Sequence, residues 1–261
     1  MIRVAAVGDI HLAPGSEGSL RPALAGLGDR ADLLLLAGDL TRHGTPEEAA
    51  VVAGEVAGLP VPVVAVLGNH DHHAGRPREV IGVLTEAGVT VLEGGTAVFD
   101  IGGTAVGVAG AKGFGGGYAG RCGSEFGEPE MKAFMRHSRT CADGLRRALT
   151  DLAEAEVAVR IALTHYSPVA DTLAGEPPEI HPFLGSYLLA EAIDEIGADL
   201  AVHGHAHLGT EHGITAGGVL VRNVAMPVID RAYAVYQLSP RPDKGAGSRP
   251  LRDEKCEEAR P

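Results

Sequence analysis

Short apolar runs recur near the start of the chain, and each of them ends in a glycine. They are Ile2–Gly8 (IRVAAVG), Ala31–Gly38 (ADLLLLAG) and Val61–Gly68 (VPVVAVLG). Runs of this length, rich in Val, Leu and Ala and lacking a regular polar alternation, are typical of parallel strands that are buried on both faces. The pattern therefore predicts three buried β-strands in this part of the chain.

Helical patterns lie between and after these strands. Thr45–Gly58 carries the signals of a helix start, with Thr45 as the N-cap, Pro46 at the first helical position and Glu47 and Glu48 in the first turn. A second segment, Met131–Glu156, predicts one long helix or a broken pair. Strands that alternate with helices predict an α/β architecture with a largely parallel sheet.

The rest of the chain adds hairpins, strands and long loops. Short glycine turns within Val89–Gly110 predict hairpins, and the glycine-rich stretch that follows is long enough to be a lid or a binding loop. Further strands are expected in 157–165, 198–207, 213–225 and 232–238. We expect one domain over residues 1–239 and a disordered tail over 240–261, where apolar residues become scarce.

Composition narrows the function classes. The chain has 261 residues and a formal net charge of -12, which argues against a broad surface for nucleic acid. Its cysteines, Cys122, Cys141 and Cys256, are odd in number and widely spaced, so they fit neither a disulfide framework nor a CxxC metal site. With no signal pattern and no apolar run of membrane-spanning length, we expect a cytoplasmic protein that does not contact the membrane.

Polar side chains follow five of the predicted strands at their carboxyl ends. In open α/β sheets this edge is where ligands bind, so we expect these side chains to converge at one edge of the sheet. They are Asp9, His11, Asp39, Asn69, His165, His205 and His207.

Imidazole, carboxylate and amide oxygen ligands suit Mn, Fe or Zn better than a soft metal. Seven ligands are too many for one tetrahedral ion, and Asp39 has two oxygens that can bridge a pair. Two ions about 3.5–4 Å apart can clamp a phosphate and hold an attacking hydroxide. The ligand set therefore predicts a dinuclear metal centre.

Five motifs around these residues occur in a fixed order: GDIH, GDLTRHG, GNHD, LTHYSP and HGHAH. In these five motifs, which extend from Asp9 to His207, the chain resembles the calcineurin-like metallophosphoesterase superfamily. The resemblance implies a four-layer α/β/β/α sandwich of two mixed sheets with helices outside. It also implies a dinuclear metal-dependent phosphoric ester hydrolase.

The same resemblance implies a role for each residue. Asp9, His11 and His207 would hold one metal ion, and Asn69, His165 and His205 the other. Asp39 would bridge both ions together with a hydroxide, which would be the nucleophile. His70 would contact the phosphate and serve the leaving oxygen, and Asp71 would orient His70.

One position departs from the motif. Many members carry GDxxD, whereas Arg42 occupies the place of the last Asp here. Gly44 fits instead the branch that resembles bacterial cyclic-nucleotide phosphodiesterases. The departure concerns the subfamily and leaves the ligand set intact.

We therefore expect hydrolysis of a small phosphorylated substrate, with a phosphodiester favoured over a phosphomonoester. A nuclease with the same dinuclear core, a hydrolase of another bond and a non-catalytic scaffold are the alternatives. The acidic balance disfavours a nucleic acid polymer, and the complete ligand set disfavours a scaffold. The sequence leaves open a homodimer and the roles of Lys112, Arg121 and the loops at 113–120 and 176–182.

Overall fold

The computed structural model describes residues 1–241. Its helices are α1 Arg21–Leu24, α2 Leu27–Arg30, α3 Pro46–Val56, α4 Pro77–Glu86, α5 Pro129–Glu154, α6 His181–Leu184, α7 Tyr187–Ile196 and α8 Met226–Ile229. The strands are β1 Ile2–Val7, β2 Leu33–Ala37, β3 Val63–Val66, β4 Val89–Val91, β5 Gly95–Ile101, β6 Thr104–Ala111, β7 Gly117–Tyr118, β8 Arg121–Cys122, β9 Val159–Thr164, β10 Leu200–His203, β11 His212–Ile214, β12 Leu220–Asn223 and β13 Ala234–Leu238.

Two mixed sheets form the centre of the fold. The first has the order β13-β1-β2-β3-β4, with β1 to β4 parallel and β13 antiparallel at the edge. The second has the order β11-β12-β10-β9-β6-β5, with β6, β9, β10 and β12 parallel and antiparallel strands at both edges. A small hairpin of β7 and β8 stands apart.

Alternate residues of each strand face different layers. In β1, Val4 and Ala6 pack in the cluster between the two sheets, while Ala5 and Val7 pack in the cluster that contains α3 and α4. On the far side of the second sheet, α5 and α7 pack on residues such as Ala109. The four-layer α/β/β/α sandwich of two mixed sheets is therefore confirmed.

Local signals place the helices where the sequence predicts them. The hydroxyl of Thr45 accepts a hydrogen bond from Glu48 N at 3.3 Å, and the Glu48 carboxylate accepts one from Thr45 N, which completes a capping box at α3. One helix, α5 Pro129–Glu154, occupies the segment predicted at Met131–Glu156, which is therefore not a broken pair.

The expectation of hairpins throughout 89–110 is wrong at its start. β4 runs parallel to β3 in the first sheet, and the hairpin in this stretch is formed by β5 and β6, which turn at Gly102 and Gly103. The short glycine turn before β5 suggested that β4 pairs with β5. Instead, Val89 packs in the cluster that contains α3 and α4, which places β4 in the first sheet.

Much of the predicted glycine-rich lid is packed against the body of the protein. Gly116 N donates to Pro182 O at 2.7 Å, Gly117 N donates to Gly185 O at 2.9 Å, and the buried Tyr118 hydroxyl donates to Ser167 O at 2.9 Å. The loop is thus fixed to the α6 region by backbone hydrogen bonds, which corrects the expectation of a lid.

The predicted tail begins at 240, and residues 242–261 lie outside the described residues. Arg241, just before that limit, donates from Nε to Asp199 Oδ1 at 2.8 Å. Within residues 1–241, no helix combines the length and the apolar character that crossing a membrane requires.

Candidate metal centre

The structure brings the seven predicted ligands together, but from two sheets and not from one. The loops after β1, β2 and β3 of the first sheet carry Asp9, His11, Asp39 and Asn69, while the loops after β9 and β10 of the second carry His165, His205 and His207. The carboxyl ends of both sets of parallel strands open toward the same cleft, as ligand sites in α/β sheets do.

The first ligand group combines two carboxylates and two imidazoles. One ligand atom from each of Asp9, His11, Asp39 and His207 lies within 4.8 Å of the others. His207 Nε2 is 2.8 Å from Asp9 Oδ1, and His11 Nε2 is 4.0 Å from Asp39 Oδ2.

The second group shares Asp39 with the first. Ligand atoms of Asp39, His165 and His205 lie within 4.8 Å of one another. Asn69 joins them, because its Oδ1 is 3.0 Å from His165 Nε2, which in turn lies 3.3 Å from Asp39 Oδ1. The two oxygens of the buried Asp39 carboxylate therefore face different imidazoles, as a bridging ligand requires.

Backbone strain is concentrated at these residues. Six residues other than glycine in residues 1–241 have positive φ, and four of them are Asp9 (58°), His11 (44°), Asp39 (50°) and His205 (73°). Such conformations are uncommon for residues with a Cβ and cluster at functional sites, where surrounding contacts hold them.

Two glycines make the close approach possible. A Cβ on Gly68 would lie 2.0 Å from Asp39 Oδ1, and a Cβ on Gly204 would lie 2.3 Å from Asp9 Oδ2. The glycines of the GNHD and HGHAH motifs therefore leave room for the two carboxylates.

The carboxylates set the electrostatics of the centre. Burial alone would lower the pKa of His165, but the adjacent Asp39 carboxylate outweighs it and raises that pKa to about 9. Burial alone would raise the pKa of Asp39, but neighbouring His165 outweighs it and holds that pKa well below its usual range. Burial and proximity to His165 lower the pKa of His205 to about 3. The Asp39 carboxylate thus stabilises a positive charge on the group beside it.

These residues fit divalent metal ions. Asp9 and Asp39 are 4% and 1% exposed, yet neither forms an ion pair with Lys or Arg among the described residues. Buried carboxylates are normally paired or bind a metal. The Nδ1–H of His165 donates to Ala37 O at 2.8 Å, which directs Nε2 at the cluster, the arrangement found in metal-ligating histidines.

His70 lies at the rim of the cluster. Its backbone N donates to Asp39 Oδ1 at 2.8 Å, and its Nε2 is 3.9 Å from Asp39 Oδ2. Nδ1–H donates to Arg42 O at 2.7 Å, so that carbonyl, and not a carboxylate, orients the ring.

Asp71 does not take the role that the resemblance implied. Its fully buried carboxylate accepts hydrogen bonds from Thr41 N and Oγ1, from Leu40 N and from Gly68 N, and none from the His70 ring. Asp71 therefore ties the loop of Asp39 to the loop of Asn69. A carboxylate next to a histidine in sequence suggested an imidazole partner, whereas the backbone N–H groups of two loops satisfy it.

Two cavities reach the cluster from different sides. One, of about 520 Å³, is lined by Asn69, His72, Lys112, Phe114, Arg147 and Tyr166 among others, and we call it the Lys112 cavity. The other, of about 680 Å³, is lined by residues that include His11, Ser16 and Arg42. Arg121 lies in neither cavity, and His72 is half-buried in the first.

No specific sign of the Lys112 cavity is present in the sequence. His203 is buried beneath the site, with Nε2 2.9 Å from Thr172 Oγ1. Helix α6, at the end of the loop at 176–182, also reaches the centre, since Phe183 O is 3.3 Å from His205 Nε2.

A four-layer sandwich with a cluster of Asp, Asn and His at the carboxyl ends of its strands defines the class of metallophosphoesterases. The family model of the calcineurin-like phosphoesterases matches residues 2–209. The chain belongs to this family, whose members depend on metal ions.

Solved structures with this fold are distant in sequence. A phosphopantetheinyl hydrolase from Mycobacterium tuberculosis has a TM-score of 0.62 at 16% identity, over 86% of this chain and 89% of that one. A 5'-nucleotidase precursor from Thermus thermophilus has a TM-score of 0.52 at 17% identity, over 85% and 48%. An NAD nucleotidase from Haemophilus influenzae has a TM-score of 0.51 at 15% identity, over 92% and 49%. No curated protein matches the chain by sequence. These similarities establish the fold alone.

Proposed function

We propose that the protein is a metal-dependent phosphoesterase that hydrolyses a small phosphodiester. Asp9, His11 and His207 would hold one divalent ion, and Asn69, His165 and His205 a second, with Asp39 shared between them. The observation that carries this proposal is the position of Asp39, whose carboxylate belongs to both ligand groups.

Bound divalent ions would polarise the phosphoester and supply a nucleophile from water near neutral pH. The protein's own residues prepare the site for them. Ala37 O fixes the tautomer of His165, and the four hydrogen bonds to Asp71 hold the Asp39 loop against the Asn69 loop. The ligand positions are thus set by backbone contacts on both sheets.

His70 is the proposed general acid. Because its Nδ1–H donates to Arg42 O, the exchangeable proton of the imidazolium is on Nε2, which faces the cluster. That proton would pass to the leaving oxygen as the P–O bond breaks. The ring of His11, whose centroid is 4.5 Å away, packs edge-on against His70 and helps to position it.

The two cavities favour a diester over a monoester. A phosphodiester carries two organic groups, and the cluster has one cavity at Asn69 and another at His11. Volumes of about 520 and 680 Å³ are of the size that accommodates small molecules. The net charge of -12 supports a small substrate over a nucleic acid polymer.

The test combines metal content with substrate preference. Metal-free protein is reconstituted with Mn²⁺, its metal content is measured, and hydrolysis of bis(4-nitrophenyl) phosphate and 4-nitrophenyl phosphate is compared. We expect two ions per chain, faster cleavage of the diester and loss of activity with a chelator. One ion or none, or faster cleavage of plasmid DNA than of any small diester, would overturn the proposal.

A further inference from the structure

The Lys112 cavity lies directly beside the metal centre. Asn69 lines the cavity, and its Oδ1 also belongs to the cluster. The Tyr166 ring forms a second link, because its centroid is 4.4 Å from that of His205 and 5.1 Å from Lys112 Nζ. One aromatic ring therefore separates the ammonium group of Lys112 from the cluster.

Lys112 is placed as a recognition group for an anion. Its Nζ lies 5.0 Å from the Phe114 centroid and donates one hydrogen bond, to Gly113 O at 3.2 Å. It forms no salt bridge with a carboxylate in residues 1–241. Two of the three N–H donors of a half-buried ammonium are thus left for a ligand.

The other polar groups that line the cavity also favour an anionic ligand. Arg147, an exposed residue of α5, lines the cavity and forms no salt bridge within the described chain. Glu93 is the carboxylate that lines the cavity, and its Oε1 accepts a hydrogen bond from Leu67 N at 3.3 Å. His72 presents a buried Nε2 without a hydrogen-bond partner in the protein. Two basic side chains, Lys112 and Arg147, against the carboxylate of Glu93 give the lining of the cavity a positive balance.

We propose that the Lys112 cavity binds a second anionic group, a phosphate or a carboxylate, on the organic part of the substrate. This inference rests on the proposed function. The substrate would then be a phosphodiester that carries a further negative charge, about one aromatic ring away from the scissile phosphate. Phe114 and Tyr166 provide apolar faces for the part between the two charges, and Lys112, assisted by Arg147, binds the anion.

Three matched diesters test the inference: phenyl 4-nitrophenyl phosphate and its analogues with a carboxylate or a phosphonate at the 4-position of the phenyl ring. All release the same nitrophenolate, so differences in kcat/KM report binding of the added anion. We expect the wild-type Mn²⁺ protein to prefer an anionic analogue by about 10- to 100-fold. The two analogues distinguish carboxylate from phosphate recognition.

Lys112→Met should reduce this preference to near unity, and Arg147→Gln should reduce it by a smaller factor. Lys112→Arg should restore part of it. Lys132→Met, the same substitution on an α5 residue that does not line the cavity, should leave the preference unchanged. If Lys112→Met does not fold, as judged by circular dichroism, Arg147→Gln carries the test.

Binding gives a readout that is independent of turnover. Calorimetric titration with phenylphosphonate and 4-carboxyphenylphosphonate should show tighter binding of the second by about tenfold in the wild type, and equal binding in Lys112→Met. Cleavage of phenyl 4-nitrophenyl phosphate without any preference for the analogues that carry an additional negative charge would overturn this inference and leave the proposed function standing. Failure to cleave any diester with two ions bound would overturn the proposed function as well.

Discussion

The carboxylate of Asp71 accepts two hydrogen bonds from Thr41, at 2.8 Å from the backbone N and at 2.6 Å from Oγ1. Since Thr41 follows the Asp39 loop and Asp71 follows Asn69, this contact joins the two segments of the first sheet that supply ligands. Asp71 does not orient the imidazole of His70, because its hydrogen-bond donors are Leu40, Thr41 and Gly68.

Asp71→Ala should therefore destabilise the protein rather than only slow it. The substitution leaves buried N–H groups of Leu40, Thr41 and Gly68 without acceptors, and each unsatisfied buried donor costs about 1–3 kcal/mol. We expect a loss of about 3 kcal/mol or more in the free energy of unfolding, measured by urea denaturation of the metal-free protein. Asp151→Ala, at an exposed position of α5, is the control. A slow but fully stable Asp71→Ala variant would contradict this role.

His70→Ala should retain both metal ions and lose rate. Loss of a general acid typically slows a reaction by about 10²- to 10⁴-fold, and most for a poor leaving group. We expect a large decrease in kcat for an alkyl diester and a small one for a nitrophenyl diester, with metal content unchanged. His73→Ala, at an exposed neighbouring residue, should change neither. Equal losses for both leaving groups would show that His70 does not protonate the leaving oxygen.

Asp39→Ala should remove both ions, whereas His207→Ala should remove one. The carboxylate of Asp39 belongs to both ligand groups, and the His207 imidazole belongs only to the group of Asp9 and His11. Metal analysis after reconstitution with Mn²⁺ and gel filtration measures the difference. Retention of one tightly bound ion in Asp39→Ala would argue against a shared ligand.

Gly68→Ala should disrupt the centre, because the new Cβ would lie 2.0 Å from Asp39 Oδ1 and must displace it. We expect loss of metal binding together with loss of activity. Gly82 lies within α4 with no atom near the position of a Cβ, so Gly82→Ala should be neutral or stabilise the protein by about 0.5–1 kcal/mol. Normal metal content in Gly68→Ala would show that the loop of Asp39 can move aside without losing metal binding.

We expect Glu55, which lies outside the metal centre, to make the stability of the protein depend on pH. Burial raises the pKa of its carboxyl, but hydrogen bonds from Gly18 N, Leu20 N and Arg21 N outweigh this and hold the pKa below its ordinary value of 4.5. A lowered pKa in the folded state stabilises the protein above pH 4.5, and this stabilisation is lost as the pH falls through the folded value.

Glu55→Gln should therefore cost about 2 kcal/mol at pH 7 and progressively less as the pH falls below about 5. Urea denaturation across this range measures the difference, and Glu47→Gln, at an exposed position of the same helix, is the control. A difference that stays constant to low pH would mean that the charge of Glu55 does not contribute.

The sequence by itself determined the local parts of this protein. Uninterrupted apolar runs specified the buried strands, Thr45 and Pro46 specified the start of α3, and the motifs marked polar side chains at strand ends. These signals are local, because hydrophobic period, capping and turn residues act within a few positions along the chain.

The tertiary structure decided which of these parts meet. The pairing of β4 with β3 depends on packing within the first layer of the fold. The contact of His207 with Asp9 across 198 positions depends on how the two sheets pack face to face. The cavity around Lys112 likewise forms between segments that are far apart in the chain. The partners of Asp71 could not be predicted from the sequence either. A buried carboxylate accepts hydrogen bonds from whichever donors the fold places beside it, and for Asp71 these include backbone N–H groups of two loops. Side-chain partners are thus set by packing between segments that are far apart in the chain, and no local pattern encodes them.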